Sequence, residues 1–457
     1  MRYYENILGL IGNTPLVRIS KLNKDYGIKA NIFAKMESLN PGYSVKDRIG
    51  TAMIEAAERE GTLLPGGTII EATSGNTGIG LALAAAVKGY KCIFIMTEKV
   101  STEKVKYLKS LGADVVICPV TAKKGSPDHY LTTAQRIARE TPNSFYPDQF
   151  NNIPNREAHY KTTGPEIWRD TDGKVTHFVA SVGTGGTISG AGRFLKEQNP
   201  DIRIVQADPL GSIFKQFKES GSMPEGSPYL VEGIGQSDMI PTTLEMKIVD
   251  EVININDRES FELSRQLSRT EGIFCGGSTG TNFGAALRVA KDLDENGLVV
   301  FIVCDTGEHY LSKHHSDEWL KEKQLLEPQR MTAGLLTETK GLGSPRKLLW
   351  VEPAHTIADA IKMMNENAVT QLPVLEEGQS IGSLRESRVL SRLLENRDLM
   401  TAPVSEVMEA SFPVVEEQIS LYEVSQKLHD SPAVLVEEYK RIIGIITRAD
   451  VLDVPRY

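Results

Sequence analysis

The amino-acid sequence predicts an α/β protein, with a doubly wound parallel sheet in the larger, N-terminal part and an α+β arrangement in the smaller, C-terminal part. Between residues 60 and 310, short β-rich runs alternate with helical patterns, which is typical of parallel sheets covered by helices. Some runs, such as 298–304, are apolar at every position, as strands buried on both faces are. After residue 345, a pattern of helix, two strands and helix occurs twice, which indicates a pair of related subdomains.

The predicted strands of the larger part lie at 68–72, 91–96, 115–119, 178–182, 203–207 and 298–304. Helices are predicted after the first four of them, ending near residues 87, 111, 140 and 196. In a doubly wound sheet, ligands bind beyond the carboxyl ends of the strands. We therefore expect the functional residues in the segments that directly follow the strands.

The composition changes after about residue 323. The stretch 326–345 is rich in glycine and proline and has little periodicity, which favours a linker. The predicted organisation is a large domain at 1–325, this linker, and a module at 346–457. The repeats within the module match at 351–361 against 415–424 and at 381–390 against 443–452, which places them at about 346–400 and 401–457.

Composition and charge narrow the class of protein. Fifty-one basic and sixty acidic side chains give a formal net charge of −9, which argues against a nucleic-acid or anionic-membrane partner. No apolar run is long enough to span a bilayer, and no charged-then-apolar leader opens the chain. The four cysteines show no zinc spacing, so we expect a cytoplasmic protein without a metal. Cys92, Cys118 and Cys304 lie in apolar runs and are expected to be buried thiols.

A lysine at a predicted helix start is the first candidate for chemistry. Asn-Pro-Gly at 40–42 indicates a turn, and Ser44 followed by Asp47 resembles a capping box. Lys46 then lies in the first helical turn, where the helix dipole disfavours positive charge. Such a place lowers the pKa of an amine and favours a lysine that forms an imine. A surface lysine near a cap is the alternative that this segment alone leaves open.

Three turns rich in glycine and hydroxyl groups lie just before predicted helices. The turn at 71–78 exposes amides that suit a carboxylate or a phosphate, although a plain capped turn explains it equally well. The turn at 182–187 lacks the last glycine of a dinucleotide fingerprint and the lysine of a P-loop, which favours a single phosphate group. The turn at 275–281 carries the neutral hydroxyl of Ser278. A lysine imine, a monophosphate cup and a neutral hydroxyl partner together describe pyridoxal phosphate with an unprotonated ring nitrogen.

Four motifs then carry a resemblance. They are Ile-Gly-Asn-Thr-Pro-Leu at 11–16, Ser-Val-Lys-Asp-Arg at 44–48, Thr-Ser-Gly-Asn-Thr-Gly at 73–78 and Gly-Thr-Gly-Gly-Thr at 183–187. With these motifs in order, the first 325 or so residues resemble a fold-type II pyridoxal-phosphate enzyme of the cysteine synthase/cystathionine β-synthase family. That resemblance implies a catalytic domain with two parallel-sheet subdomains, similar to tryptophan synthase β.

The resemblance also implies roles for individual residues. Lys46 is implied as the Schiff-base lysine and catalytic residue, Asn76 as the partner of the ring hydroxyl, and Ser278 as the partner of the pyridine nitrogen. The implied phosphate cup is Gly183, Thr184, Gly185, Gly186 and Thr187. The residues implied to hold the substrate carboxylate are Thr73, Ser74, Thr77 and Gln149.

Three stretches, at 98–105, 125–129 and 310–319, are more similar to cystathionine β-synthases than to plain cysteine synthases. The tandem repeat resembles a Bateman module, the adenosyl-ligand sensor of many such enzymes. In the second repeat the resemblance implies that Thr447 and Asp450 bond a ribose, of S-adenosylmethionine or an adenine nucleotide, and a purely architectural role is the alternative. Arg385 and Arg388 stand at the matching places of the first repeat, which we expect to lack an equivalent site.

Several features depart from the family pattern. The chain begins almost directly at the catalytic domain, so the haem-binding extension of some animal members is expected to be absent, and haem with it. Phe150 and Gln236 stand where such members carry tyrosines near the substrate, and Tyr43 replaces a glycine beside Lys46. Phe150 resembles cysteine synthases instead, so these positions leave the second substrate open.

The expected reaction is a β-replacement in which L-serine and L-homocysteine give cystathionine and water, with hydrogen sulfide released when cysteine is the first substrate. The close alternative is a cysteine synthase (O-acetylserine sulfhydrylase), which makes cysteine from O-acetylserine and sulfide. A serine/threonine dehydratase and an adenosyl-nucleotide sensor with a relic catalytic domain are more distant alternatives. Because family members are typically at least dimers, a homodimer or homotetramer is expected.

Overall fold

A computed structural model describes residues 1, 3–123, 125–326, 332–339, 348–438 and 440–452. The chain divides into two units, residues 1–326 and 327–457. In the described residues, no helix combines the length and apolar character that crossing a membrane requires.

The strands of the first unit form two sheets. They are β1 Leu16–Arg18, β2 Asn31–Met36, β3 Thr68–Ala72, β4 Lys91–Thr97, β5 Asp114–Cys118, β6 Ser144–Phe145, β7 His177–Ser181, β8 Arg203–Pro209, β9 Glu251–Ile255 and β10 Leu298–Val303. Among the described residues, one sheet has the order β5-β4-β3-β6 and the other the order β1-β2-β10-β7-β8-β9. Every neighbouring pair in them is parallel except β1, which runs antiparallel to β2 at an edge. The predicted α/β class with parallel sheets is confirmed.

Helices cover these sheets. They are α1 Lys21–Asp25, α2 Lys46–Glu60, α3 Asn76–Lys88, α4 Thr102–Ser110, α5 Tyr130–Glu140, α6 Ile153–Lys161, α7 Thr163–Asp170, α8 Gly186–Gln198, α9 Phe214–Ser220, α10 Asp257–Gln266, α11 Gly277–Lys291 and α12 Asp317–Glu322. Apolar cores lie on both sides of β10, because Val299 and Phe301 pack into one core and Val300 and Ile302 into another. This two-sided burial is why β10 is apolar at every position.

Two glycines bring α2 and α3 into close contact. A Cβ atom on Gly50 would lie 2.4 Å from the carbonyl carbon of Gly80, and one on Gly80 would lie 2.5 Å from the carbonyl oxygen of Lys46. Such distances are far inside van der Waals contact, so the helices can approach this closely only where both residues lack a side chain. The crossing sets the first turn of α2 directly against α3.

The second unit contains the predicted repeat. Its elements are α13 Ala333–Thr339, α14 Ile357–Asn367, β11 Gln371–Glu376, β12 Gln379–Arg385, α15 Glu386–Glu395, β13 Val414–Glu416, α16 Leu421–Asp430, β14 Ala433–Glu438, β15 Arg441–Thr447 and α17 Arg448–Leu452. In each repeat a helix precedes two antiparallel strands and a second helix follows them. Capping boxes start both leading helices, Thr356 with Asp359 and Ser420 with Glu423, which accounts for the matching sequence patterns at their starts.

One part of the predicted linker requires correction. Of residues 326–345, the structure describes Leu326 and residues 332–339, and the latter contain α13 rather than an irregular segment. The Ala333 amide donates to the Ile419 carbonyl over 2.9 Å, and Ala333 and Leu336 are buried in the core of the second repeat. The sequence suggested a linker because two prolines and two glycines surround this short apolar run. The rest of the predicted linker lies outside the described residues.

Candidate active site

Lys46 begins α2, and the backbone before it is fixed to the end of β10. The Val45 amide donates to the Cys304 carbonyl over 2.9 Å, and the Thr306 amide donates to the Tyr43 carbonyl over 3.1 Å. Lys46 is thereby held beside residues 304–306, the segment that follows β10. Burial lowers the pKa of the Lys46 amine, against the opposing charges of Cys304 and Asp305. The neutral, nucleophilic form of the amine is therefore more accessible than in an exposed lysine.

The predicted capping box at this helix start is wrong. Val45 occupies the N-cap position, and the Ser44 hydroxyl accepts from the Lys46 amide over 3.2 Å. The Asp47 carboxylate accepts from the Gly42 amide, and a hydrogen bond with the Ser44 side chain lowers its pKa against the effect of burial. Ser44 itself forms an antiparallel bridge with Asp305, so its backbone is part of the attachment to β10 rather than of a capping box.

Ser278 reaches the same place from another direction. It is buried in the first turn of α11, and this turn is attached to β10 because the Cys304 amide donates to the Thr279 hydroxyl over 3.0 Å. The Cys304 thiol accepts from Asn282 Nδ2 at 3.2 Å. Burial raises the pKa of this thiol, and hydrogen bonds with Ser278 and Ser181 oppose that effect. The thiol thus stays protonated at neutral pH.

The prediction of buried cysteines holds for two of the three. Cys92 and Cys118 are buried, whereas Cys304 is only partly buried. The sequence pattern missed this because Cys304 continues the apolar run of β10 but lies one residue beyond its end, among the candidate site residues. Cys275, for which burial was not predicted, is also buried.

Asn76 is the first residue of α3, directly after the turn that follows β3. Its Nδ2 donates to Asp305 Oδ2 over 2.6 Å, which ties it to the same segment as Lys46 and Ser278. Within the turn, the Thr73 hydroxyl accepts from the amides of Gly75 at 3.0 Å and Gly78 at 3.3 Å. Ser74 is exposed at the tip of the turn.

A chain of hydrogen bonds connects this turn with the proposed phosphate cup. Thr77 Oγ1 donates to Gln149 Oε1 over 2.6 Å, and Gln149 Nε2 donates to the Ala72 carbonyl over 2.9 Å. Asn155 Nδ2 donates both to the Gln149 carbonyl, over 2.8 Å, and to Thr184 Oγ1, over 3.1 Å. The structure therefore holds Thr77, Gln149 and Thr184 in one network.

The proposed phosphate cup, residues 183–187, connects β7 to the first turn of α8, and its glycines leave no room for larger residues. A Cβ atom on Gly183 would lie 2.4 Å from the Gly233 carbonyl oxygen, and one on Gly186 would lie 2.0 Å from Asn155 Oδ1. At its far side the Thr187 hydroxyl is 3.2 Å from His159 Nε2. Burial, with the nearby Arg48 guanidinium, lowers the pKa of His159 to about 3, so this histidine is a neutral hydrogen-bonding partner.

The residues present fit pyridoxal phosphate. A glycine cup at a helix start supplies amides for a phosphate, and a neutral hydroxyl at Ser278 suits an unprotonated ring nitrogen. The buried Oδ1 atoms of Asn76, Asp305 and Asn282 have no hydrogen-bond partner among the described residues. Buried polar atoms without partners are uncommon in folded proteins and often mark the place of a ligand.

The three departures from the family pattern have distinct surroundings. Tyr43 is exposed and adopts φ +62°, a left-handed conformation that is uncommon for a residue other than glycine. Gln236 Nε2 donates to the Gly183 carbonyl over 3.1 Å, which attaches it to the phosphate cup. The Phe150 carbonyl accepts from the Thr243 amide over 3.3 Å.

Sequence reasoning missed three residues that the structure places beside Asn76. Asp305 is fully buried, Tyr310 donates to its Oδ2 over 2.6 Å, and Lys104 Nζ donates to the Tyr310 hydroxyl over 2.8 Å. A signal for Asp305 was present, since an acidic residue directly after an apolar parallel strand lies where ligands bind. Lys104 and Tyr310 lie in two of the stretches that resemble cystathionine β-synthases, but their pairing is not visible in one sequence.

Thr447 and Asp450 lie in the second unit, where β15 meets α17. The Thr447 amide and hydroxyl both donate to Asp450 Oδ2 over 2.6 Å. In the first repeat, Arg385 donates two hydrogen bonds of 2.7 Å to the Glu409 carboxylate. The matching positions of the two repeats are therefore built differently.

Comparison with known proteins places the chain in a family. Residues 7–305 match the family described as pyridoxal-phosphate dependent enzyme, and residues 345–395 and 404–457 match the CBS domain. The chain is 41% identical to a cystathionine beta-synthase of Oryctolagus cuniculus, with 98% of this chain and 84% of that protein aligned.

Two solved structures are also similar. An O-acetylserine dependent cystathionine beta-synthase from Helicobacter pylori is 40% identical, with a TM-score of 0.62 over 68% of this chain and 99% of the other. A hydrogen sulfide-producing enzyme from Fusobacterium nucleatum is 37% identical, with a TM-score of 0.62 over 68% of this chain and 100% of the other. The chain belongs to the family of pyridoxal-phosphate dependent enzymes that includes the cystathionine beta-synthases.

Proposed function

We propose that the protein joins L-serine and L-homocysteine to cystathionine, with release of water, in a pyridoxal-phosphate dependent β-replacement. The observation that carries the proposal is the attachment of Lys46, Asn76 and Ser278 to the single segment 304–306. The similarity to a cystathionine beta-synthase over 98% of the chain supports the same reaction. Pyridoxal phosphate, when bound, would withdraw electrons from the α-carbon of an amino acid, which makes the α-proton acidic and favours loss of the substituent on the β-carbon.

Lys46 would carry the proton transfers. Because burial lowers its pKa, the amine is available as a nucleophile that holds the cofactor and as a base once substrate displaces it. It would take the α-proton of serine and protonate the departing hydroxyl to water. It would then accept the proton of the homocysteine thiol and return it to the α-carbon after the sulfur has bonded to the β-carbon. Atoms balance, since one water leaves for each cystathionine formed.

The substrate carboxylate would lie at the turn before α3. Thr73, Ser74 and Thr77 present hydroxyl groups there, and the first amides of α3 supply partial positive charge. Gln149 would orient Thr77 through their 2.6 Å hydrogen bond. The Asn155 bridge from Gln149 to Thr184 would keep the carboxylate site at a fixed distance from the phosphate cup.

Two stretches that resemble cystathionine β-synthases support homocysteine as the second substrate. Residues 98–105 and 310–319 meet in the structure: the Lys313 amine donates to the Lys99 carbonyl over 3.0 Å, and Glu103 accepts from Ser312. Together they adjoin Asp305 and therefore Asn76. Phe150 remains the feature that favours sulfide.

A second candidate differs in the first substrate. The similar protein from Helicobacter pylori is described as O-acetylserine dependent, so O-acetylserine with homocysteine is a reaction that the same residues can support. Acetate would then leave in place of hydroxide. Because acetate is the better leaving group, its departure needs less protonation by Lys46.

Product analysis separates these reactions. Purified protein supplied with pyridoxal phosphate is given serine with homocysteine, O-acetylserine with homocysteine, O-acetylserine with sulfide, serine alone, or cysteine alone, at matched concentrations, and products are identified by mass spectrometry and a sulfide electrode. We expect cystathionine from serine as the dominant product, with sulfide from cysteine. Cystathionine only from O-acetylserine would favour the second candidate, and cysteine as the main product would favour a cysteine synthase. Pyruvate from serine alone would indicate a dehydratase, and a colourless, inactive protein a relic domain.

The C-terminal module would bind an adenosyl effector at Thr447 and Asp450. The support is the CBS-domain match and a hydroxyl and a carboxylate held 2.6 Å apart at a helix start. Calorimetric titration with S-adenosylmethionine, AMP and ATP tests it, with Asp450→Ala expected to abolish binding and Arg385→Ala to leave it intact. Equal loss of binding in both variants, or none in either, would contradict a site confined to the second repeat.

The remaining expectations concern the whole protein. We propose a cytoplasmic location, which the absence of disulfides among the four cysteines supports, and an oligomer of at least two chains. Exposed apolar side chains near the N-terminus, including Tyr4, Ile7 and Leu10, support an oligomer, and light scattering would measure it. Among the described residues no group of three or more histidine, cysteine or acidic side chains could hold a metal ion. That haem takes no part stays a prediction.

A further inference from the structure

A row of buried polar side chains connects the two sheets of the first unit. Asn76 and Tyr310 both donate to Asp305 Oδ2 over 2.6 Å, Lys104 Nζ donates to the Tyr310 hydroxyl over 2.8 Å, and it also lies 3.1 Å from Glu232 Oε2. Asn76 and Lys104 belong to helices of the four-stranded sheet, at the starts of α3 and α4. The acceptors Asp305 and Glu232 belong to loops of the six-stranded sheet. Three contacts of the row therefore cross from one sheet to the other: Asn76 to Asp305, Lys104 to Tyr310, and Lys104 to Glu232.

The side chains of this row are so deeply buried that their charges cost folding free energy. Asp305 is 0% exposed, Lys104 1% and Tyr310 3%, and the side chain of Glu232 is 8% exposed. Charged groups removed from water destabilise a fold unless each is paired and hydrogen-bonded. An apolar set of the same volume would be at least as stable, so an arrangement of this kind suggests a role beyond folding.

Two observations connect the row to a ligand. The Oδ1 atoms of both Asn76 and Asp305 are buried and have no hydrogen-bond partner among the described residues, so each has an acceptor left for another molecule. Lys104 also shapes the turn before Asn76, because a Cβ atom on Gly75, which adopts φ +122°, would lie 2.5 Å from Lys104 Cδ. The row thus controls both the amide of Asn76 and the path of the backbone that carries it.

We propose that Asp305, Tyr310, Lys104 and Glu232 form a positioning relay that fixes the Asn76 amide against the ring hydroxyl of pyridoxal phosphate. The proposal rests on the cofactor of the proposed function. The ammonium of Lys104 donates to the Tyr310 hydroxyl and so orients that hydroxyl toward Asp305. The carboxylate in turn holds one N–H of Asn76, which leaves the rest of the amide in a single orientation.

The protonation states of Tyr310 and His309 are consistent with the donor and acceptor roles in this relay. Burial, with the Asp305 and Glu232 charges, raises the pKa of Tyr310 well above its usual range, so the hydroxyl remains a donor. His309, whose ring is 6.3 Å from that of Tyr310, has its pKa lowered by burial and adds no second positive charge at neutral pH. Lys313 lies 3.5 Å from Glu232, Lys99 also interacts with the Glu232 charge, and Lys46 interacts with the Asp305 charge, so three further cations face the row.

The test measures how the cofactor is held, not only turnover. Tyr310→Phe removes one hydroxyl, Asp305→Asn removes the charge, and Lys104→Met removes the ammonium with little change of volume. Each variant is stripped of cofactor and titrated with pyridoxal phosphate, and the visible circular dichroism of the bound cofactor is divided by its absorbance to report its orientation. We expect affinity to fall by about tenfold, the equivalent of one charge-assisted hydrogen bond, with an altered dichroism ratio and a lower kcat at unchanged KM for serine.

Matched controls distinguish positioning from general damage. Tyr107→Phe also removes one tyrosine hydroxyl, at a position on α4. The Tyr107 ring contacts His309 and Tyr43 but not the row, so this variant is expected to keep the wild-type affinity and dichroism ratio. Lys104→Arg retains a cationic donor and should restore part of what Lys104→Met loses. Far-ultraviolet dichroism and the Tm establish that each variant is folded, and three separate substitutions keep a usable variant if one does not fold.

The outcomes separate the relay from the proposed function. Wild-type affinity and an unchanged dichroism ratio in folded Tyr310→Phe and Asp305→Asn would overturn the relay while the cofactor assignment stood. Failure of the wild-type protein to bind pyridoxal phosphate would overturn the proposed function, and the relay with it. A loss that Tyr107→Phe reproduces would also overturn the relay.

Discussion

At the scale of single residues, Lys46 is the group whose replacement tests the chemistry most directly. Lys46→Arg keeps a positive charge but has no amine that can form an imine or act as a base at neutral pH, because the guanidinium remains protonated. We expect cystathionine formation to fall by about a thousandfold or more, in line with loss of a positioned acid–base group, and borohydride to attach the cofactor to the wild type only. Lys88→Ala, at a partly exposed ion pair with Glu58, is the control. Turnover within tenfold of the wild type would contradict the assignment.

A buried carboxyl predicts a pH dependence of folding. Asp208, in β8, is fully buried, and burial raises its pKa from 3.8 to about 7. The folded protein therefore keeps this proton to a higher pH than the unfolded chain, so stability falls as pH rises from about 4 to about 7. We expect Asp208→Asn to stabilise the protein by about 1–3 kcal/mol at pH 8 and by less at pH 5.5.

Urea unfolding at both pH values measures this difference. Asp201→Asn, at an exposed position on the loop before β8, serves as the control and should change stability equally little at either pH. The same gain for Asp208→Asn at pH 5.5 and pH 8 would contradict an elevated pKa for Asp208.

The sequence predicted some site residues and missed others for a physical reason. Lys46, Asn76 and Ser278 were identifiable because each lies in a short motif at the start of a helix, where the residue types by themselves indicate the chemistry. Lys104 and Tyr310 are separated by about two hundred residues, and their contact arises only when two sheets meet. A single sequence records neither that contact nor the burial that makes it consequential.

At the scale of elements, the crossing of α2 and α3 determines how Lys46 faces Asn76. In most helices Gly→Ala is stabilising by about 0.5–1 kcal/mol. At Gly80 the new Cβ would lie 2.5 Å from the Lys46 carbonyl oxygen, so the helices would have to separate. We expect Gly80→Ala to destabilise the protein by about 1–3 kcal/mol and to weaken cofactor binding, as measured by thermal unfolding and titration.

The control for this crossing is an exposed position near the end of the same helix. Ala86 is exposed on α3, and Ala86→Ser should leave both stability and cofactor affinity close to those of the wild type. A stabilising effect of Gly80→Ala, the usual sign for a helix interior, would show that the close approach has no influence on the site.

Elements were predictable where their pattern was strong and local. The apolar strands β3, β4, β7 and β10 were recognised because both faces are buried. The strands β2 and β9 were not predicted because polar residues are mixed with the apolar ones in both segments. They are strands because they pair with β10 and β8, which are distant from them in the sequence. The helix α13 escaped for a related reason, since its partners, such as Ile419, lie about eighty residues further along.

At the scale of the whole molecule, the proposed catalytic residues all lie in the first unit, and Thr447 and Asp450 in the second. Truncation after Leu326 is therefore expected to leave a folded protein that binds pyridoxal phosphate with the affinity of the full chain and no longer responds to adenosyl ligands. Absorbance titration and activity with and without S-adenosylmethionine measure both properties. A chain cut after residue 345 retains α13 without its partners and should be more prone to aggregate, because Ala333 and Leu336 would then be exposed.

A truncated chain that lost cofactor binding would contradict this independence. Full-length protein carrying Asp450→Ala is the matched comparison, since it removes the proposed effector contact and retains the second unit. Equal effector response in the truncated and full-length chains would show that any adenosyl ligand acts elsewhere.

The pairing of β2 with β10 also has a consequence for how the protein is made. Residues 31–36 pair with residues 298–303, whereas the four-stranded sheet is complete within residues 68–145. Domains fold as they emerge from the ribosome, so the smaller sheet can form early. The edge of β2 that pairs with β10 stays unpaired until most of the first unit has been translated. Residues 304–306 directly follow β10, so the segment that contacts the surroundings of Lys46, Asn76 and Ser278 is among the last parts of the first unit to fold. A nascent chain can therefore bind its cofactor only near the end of the folding of this unit.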